Sequence, residues 1–162
     1  MFLLGTRPDL VYALSFSASK SRQPTVMDFN RLMRTLRYVK STASKGMTFR
    51  NYQDKNQKAK KEKMTLYAYC DASFAANDDG KSQTGYCFNL GHGNGVFHCK
   101  SQKQTTIALS STEAEHVAAT ETVKEIIGLR ELLKELGFEQ TEPTVIYEDN
   151  KSTIEIASNF DV

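Results

Sequence analysis

Three short apolar segments joined by Gly- and Asp-rich turns, then a capped helix, then one more short strand, constrain this chain most. Residues 64–73 mix Tyr with apolar side chains and run into Asp71-Ala72-Ser73. Asn77-Asp78-Asp79-Gly80 turns the chain, residues 84–90 form a second strand, and Gly91-His92-Gly93-Asn94-Gly95 leads into a third at 96–100. Short turns of this composition predict an antiparallel meander. Ser110 and Glu113 then stand at capping-box spacing and open a helix that continues to Leu136, with Gly137 placed to stop it. Gly128 and a drifting apolar arc predict a bend or two segments within it. After Pro143, residues 144–149 read as a strand and 150–157 as a helix. The order is β-β-β-α-β-α, an α/β class. A crossover through the helix places the fourth strand parallel to the first.

Upstream of residue 64 the periodicity is helical. Residues 6–19 repeat Leu10, Val11, Leu14 and Ala18, with Thr6 as a possible cap and Pro8 near the first turn. Thr25 and Asp28 open a second helix in which Phe29, Leu32, Met33, Leu36 and Val39 share one arc. Arg31, Arg34 and Arg37 fall outside that arc. They read either as a face offered to nucleic acid or as a solvated basic face. Residues 53–63 are polar with no period, which predicts a basic linker between a helical segment at 1–52 and the domain at 64–162.

Charge follows the same division. Residues 1–63 hold 14 Lys and Arg against 4 Asp and Glu, and residues 64–162 hold 7 against 15, so +10 and −8 underlie the net +2. Basic segments attract phosphates and clustered carboxylates gather cations, although two ordinary solvated surfaces would give the same contrast. At 162 residues the chain suits one compact domain with an appendage. No apolar run approaches the ~18 residues of a membrane span, and the apolar start is too short for a signal-peptide core. Cys70, Cys87 and Cys99 have no metal-ligand spacing and leave one thiol over in any disulfide scheme, which predicts a reduced, intracellular protein.

Three acids occupy positions suited to chemistry: Asp71 in the first strand, Glu115 in the first turn of the long helix, and Asp149 at the end of the fourth strand. If strands one and four are neighbours, the three carboxylates converge, and such a group calls for a hard cation such as Mg²⁺. Each acid alone also reads as local structure: a turn former, a helix-start charge, a strand-end Asp. Ser73, Ser110, Ser111 and Asn150 flank these acids as ribose contacts or as turn and cap residues. His92, His98 and His116 have no partner spacing that suggests zinc or a nucleophile.

Tyr69-Cys70-Asp71-Ala72-Ser73, Lys81-Ser82-Gln83-Thr84-Gly85-Tyr86, Lys100-Ser101-Gln102-Lys103-Gln104, Leu109-Ser110-Ser111-Thr112-Glu113-Ala114-Glu115 and Tyr147-Glu148-Asp149-Asn150 occur in that order. Together they resemble the ribonuclease H domain of copia-type retrotransposon Pol polyproteins. Thr6-Arg7-Pro8-Asp9-Leu10 and Leu36-Arg37-Tyr38-Val39-Lys40 resemble the reverse transcriptase tail, thumb and connection, that precedes it. The resemblance implies a ribonuclease H-like mixed sheet and Mg²⁺-dependent cleavage, with Mn²⁺ as a substitute, of the RNA strand of RNA–DNA hybrids. It implies Asp71, Glu115 and Asp149 as catalytic metal ligands, Glu115 being the match and Glu113 the capping residue. The implied partners are an RNA–DNA hybrid or other nucleic acid and the rest of the Pol polyprotein, with no membrane. The implied place is the cytoplasm, in virus-like particles, or the nucleus.

The family's fourth acid, in a later Ala-Asp segment, has no counterpart before Val162. The expectation is therefore an impaired nuclease, with a catalytically inactive nucleic-acid-binding remnant as the alternative. Lacking a fifth strand and a last helix, the sheet is expected to expose an apolar patch and an unpaired edge. The N-terminal helices are expected to pack against each other beside the domain.

Overall fold

The computed structural model describes residues 6–49 and 64–159. The linker expected at 53–63 lies outside the described residues. A 3₁₀ turn at Pro8–Leu10 leads into α1 (Val11–Ser19), and α2 spans Val26–Ser41. Strands β1 (Leu66–Ser73), β2 (Gln83–Leu90) and β3 (Val96–Lys103) are followed by α3 (Ser111–Glu135), β4 (Val145–Tyr147) and α4 (Lys151–Ser158). The sheet order is β3-β2-β1-β4, with β1–β2 and β2–β3 antiparallel and β1–β4 parallel. The meander and the parallel return are as the turn chemistry predicts.

Alternation along β1 and β2 builds the core. Leu66, Ala68 and Cys70 face the same side as their neighbours Leu90, Phe88 and Tyr86. Ile126 and Leu133 of α3 close over them. Leu66, Ala68 and Phe88 have no exposed surface. The division into two segments expected at Gly128 is absent: α3 is one unbroken helix of 25 residues. Among the described residues, nothing beyond its own helix backbone and chain neighbours lies within 4 Å of where a Cβ would stand at Gly128, so its lack of a side chain serves no close approach to another element. The helix stops where expected, with Gly137 at φ +83°.

Two polar side chains fix the return to β4. Gln140 accepts the Leu66 amide through Oε1 and donates Nε2 to the Met64 carbonyl, both at 2.9 Å, in the manner of an extra strand residue. Arg130 of α3 donates to the Glu142 carbonyl (2.8 Å), the Thr144 hydroxyl (3.0 Å) and the Gln140 carbonyl. The connection is thereby held to both the helix and the sheet.

The N-terminal segment departs from expectation in three ways. The first helix is not capped by Thr6; it begins as the 3₁₀ turn, with Pro8 at its first position and no side-chain cap. It also packs on β3 rather than chiefly on α2. Leu10 and Val11 are buried, and Ser15 Oγ lies 3.4 Å from Gln83 Nε2. Pro8, Val11 and Tyr12 line a cavity of about 450 Å³ with Tyr69, Asp71 and Ser73, on the sheet face turned away from α3. Burying Leu10 and Val11 against the sheet removes two large apolar side chains from water, at about 1.5–3 kcal/mol each.

The third departure concerns α2. Its capping box is present: the Asp28 amide donates to Thr25 Oγ1 (3.2 Å) and the Thr25 amide to Asp28 Oδ2 (3.0 Å). Its apolar arc, however, is not its packing face. Phe29 and Leu36 are more than half exposed, and no residue of the helix is buried. The helix docks by its polar side instead. The Arg31 guanidinium sits 5.1 Å from the Phe16 ring centre, and Arg7 lies 5.8 Å from that of Tyr38 while donating to Thr42 Oγ1 (2.7 Å). Cation–π pairs with bridging hydrogen bonds compete with an apolar seam when the facing helix offers Phe and Arg.

Candidate metal centre

The register of β1 and β4 places the first and last acids. Tyr67 pairs with Val145, Ala68 with Ile146 and Tyr69 with Tyr147. Continued two residues further, the same register sets Asp71 beside Asp149. The third acid arrives from α3. Ser110 caps that helix by accepting the Glu113 amide (3.1 Å), and the Glu113 carboxylate accepts the Leu109 amide (2.7 Å). Glu113 is thus spent on the cap, one residue further back than a regular capping box. Glu115, half a turn on, points inward. Gln104 fastens this turn to the sheet, donating Nε2 to Thr84 Oγ1 (3.0 Å) and to the Ala114 carbonyl (2.9 Å). From the other side, buried Thr153 of α4 donates its hydroxyl to the Thr112 carbonyl (3.3 Å).

Asp71, Glu115 and Asp149 each bring one carboxylate oxygen within 4.8 Å of the others. Asp71 and Asp149 are exposed, whereas Glu115 is 6% exposed. Its Oε2 is buried without a hydrogen-bond partner. Burial raises the Glu115 pKa to about 7, aided by the charges of Glu148, Asp71 and Asp149 and opposed by a hydrogen bond with the Ala72 backbone. An unpartnered buried oxygen among converging carboxylates is the arrangement a divalent cation relieves, and the all-oxygen donor set suits Mg²⁺ or Mn²⁺.

The raised pKa has a measurable consequence. Glu115 ionises at its ordinary 4.5 in the unfolded chain and at about 7 in the folded one, so the folded state holds the extra proton between those values. In the absence of divalent cations, stability is therefore expected to fall as pH rises from 4.5 to 7 and to level off above. Glu115→Gln should flatten that decline and leave the variant more stable than wild type at pH 8. Urea midpoints measured across this range check it; parallel curves for the two proteins would contradict it.

Among the other candidates, Ser110 and Asn150 are helix N-caps, Asn150 Oδ1 accepting the Thr153 amide at 2.9 Å. Ser111 is exposed in the first turn of α3, and Ser73 is exposed beside Asp71 in the cavity under α1. Arg31, Arg34 and Arg37 are all exposed. Arg31 is paired with Asp28 (3.4 Å) and faces Phe16, and Arg31 and Arg34 line a cavity with Tyr12 and Phe16 between the helices. Sequence reasoning missed Glu148, whose carboxylate stands beside the cluster and acts on Glu115. Its place next to Asp149 in the same strand end was the available signal.

With this geometry established, similarity to known proteins supplies the context. The chain is 35% identical over 159 residues, 98% of its length, to the retrovirus-related Pol polyprotein from transposon RE2 of Arabidopsis thaliana. It is 35% identical over 155 residues to the corresponding polyprotein from transposon TNT 1-94 of Nicotiana tabacum. Over nearly its whole length the chain is similar to a segment of retrotransposon Pol polyproteins. It spans about a tenth of the length of these Pol relatives, 10% and 11% respectively. A shorter relative, the secreted RxLR effector protein 161 of Plasmopara viticola, is 34% identical over 125 residues, which are 76% of this chain and 80% of that protein. No family model matches the chain. Among the described residues, no helix is long and apolar enough to cross a membrane.

Proposed function

We propose that this segment of a Pol polyprotein is a ribonuclease H-like unit that cleaves the RNA strand of RNA–DNA hybrids with Mg²⁺ or Mn²⁺. The convergence of Asp71, Glu115 and Asp149, with a buried unpartnered oxygen on Glu115, carries the reading. The three carboxylates would hold the cation. When bound, divalent ions supply Lewis acidity and an activated water for phosphodiester hydrolysis. The chain's own residues contribute position and charge. The β1–β4 register aligns Asp71 with Asp149, and the Ser110–Glu113 cap aims Glu115 at both. Ser73, next to Asp71, is placed to meet a ribose hydroxyl, the group that separates RNA from DNA.

A binding-only reading through the exposed Arg31, Arg34 and Arg37 has less support, because it leaves the converging carboxylates without a role and Arg31 is partly engaged by Asp28 and Phe16. A hybrid labelled on either strand and incubated with the full chain tests the proposal. Cleavage is expected in the RNA strand only, in Mg²⁺ or Mn²⁺, and is expected to stop in chelator. Intact RNA under saturating protein and cation, or equal cutting of both strands, would refute it.

A further inference from the structure

The backbone ladder between β1 and β4 ends at Tyr69↔Tyr147, two residues short of the two acids it must align. The next pair in register is Cys70 and Glu148, and here a side-chain bond replaces the ladder. The Cys70 thiol donates to Glu148 Oε2 at 3.1 Å. The other oxygen of the same carboxylate, Oε1, accepts the amides of Asp149 (3.1 Å) and Asn150 (3.0 Å). Glu148 therefore grips the strand that carries Asp71 and the turn that carries Asp149 with one rigid group.

Both oxygens of Glu148 are occupied by these donors, and the cluster of mutually close ligand atoms comprises Asp71, Glu115 and Asp149 without it. We infer that Glu148 is a positioning residue for the proposed reaction, a carboxylate clamp that holds Asp149 in register with Asp71 through Cys70 and the Asp149 and Asn150 amides. This deepens the ribonuclease reading and rests on it for its functional meaning.

A partner that orients a metal ligand is worth on the order of tenfold or more in metal affinity. The anchor is suited to this. A carboxylate accepting three donors has little freedom to rotate, and charge-assisted bonds to backbone amides are stronger than neutral ones. The bond from Cys70 is the only one of the three that crosses to β1, so it sets the spacing between the two strand ends.

The clamp is tested on the full chain with two readouts, Mn²⁺ affinity from the resonance signal of free Mn²⁺ and hydrogen exchange at the Asp149 and Asn150 amides. Glu148→Ala is expected to weaken Mn²⁺ binding by about tenfold and to speed exchange at both amides, with exchange at the β1–β2 amides unchanged. Glu148→Gln, whose Oε1 still accepts both amides and whose Nε2 can donate to the Cys70 sulfur in a reversed bond, should restore both. Cys70→Ala should weaken Mn²⁺ binding, and Cys70→Ser, whose hydroxyl still donates, should restore it.

Wild-type affinity and exchange in Glu148→Ala would overturn the inference. So would a Glu148→Gln variant with protected amides and the weak binding of the alanine variant, because charge and not positioning would then be the cause. If the wild-type chain binds no Mn²⁺, the ribonuclease reading fails. The exchange data then judge the clamp by themselves: faster exchange in Glu148→Ala upholds it and unchanged exchange overturns it.

Discussion

Asp71→Asn is expected to lower hybrid cleavage by at least about 100-fold, more than the 10–100-fold typical of losing a group that only orients a ligand. The substitution keeps the size and the strand position of the side chain but replaces a carboxylate ligand with an amide. Its fold should be intact, because Asp71 is exposed at the end of β1 and its backbone pairing with Gly85 is unaffected. One charge that opposes Glu115 ionisation is removed, so the Glu115 pKa should move down from about 7. Metal-free Asp71→Asn should then unfold at the same or a higher temperature than wild type at pH 8. Loss of activity together with retained stability separates a chemical role from a structural one. Cleavage at the wild-type rate would place the activity outside this cluster.

The second large effect lies in the core. Phe88→Ala is expected to cost about 3–5 kcal/mol, the range for removing a buried aromatic side chain. Phe88 has no exposed surface and meets Tyr86 edge-on at 5.6 Å between ring centres, with the His98 ring stacked on it, also at 5.6 Å. Small domains carry roughly 5–15 kcal/mol in total, so the variant should retain little of the sheet's cooperative unfolding. Leu36→Ala is the contrast. Leu36 belongs to the apolar arc of α2 yet is 52% exposed, and its loss should stay within about 0.5 kcal/mol. Denaturant titrations of the two variants measure the difference. A loss below about 1 kcal/mol at Phe88, or several kcal/mol at Leu36, would mean that the hydrophobic centre lies elsewhere.

The comparison of Phe88 with Leu36 also shows what was legible in the sequence. In the sheet domain, local chemistry and tertiary packing agree. Alternation in β1 and β2, Gly and Asp at the turns, Ser110 at the cap and Gly137 at the stop each specify one outcome. The choice of Glu115 over Glu113 came from the family's Ala-Glu pattern and not from local chemistry; in the structure Glu115 lies with Asp71 and Asp149 while Glu113 serves the cap. In the N-terminal helices, periodicity identified the elements but not the partner. An apolar arc says that a face can be buried, and whether it is buried depends on what lies opposite.

Here Phe16 and Tyr38 attract Arg31 and Arg7, and Leu10 and Val11 find β3, so the arc of α2 faces outward. The expected apolar exposure of the sheet is present in part: Tyr69, Val145 and Tyr147 are exposed, while α1 covers the β3 side. Adjacency to Asp149 was the one trace of Glu148 in the sequence; the positioning role inferred for it depends on a bond across strands that no local pattern encodes. That bond exists only once the β1–β4 ladder stops at Tyr69 and Tyr147.

Diffraction from crystals of the full chain soaked in Mn²⁺, recorded at the manganese edge, tests the central claim most directly. An anomalous peak is expected about 2.0–2.3 Å from one carboxylate oxygen each of Asp71, Glu115 and Asp149, the range for hard divalent cations bound by oxygen. A saturated soak with no peak among these three residues, or with Glu115 turned away from the ion, would contradict the account.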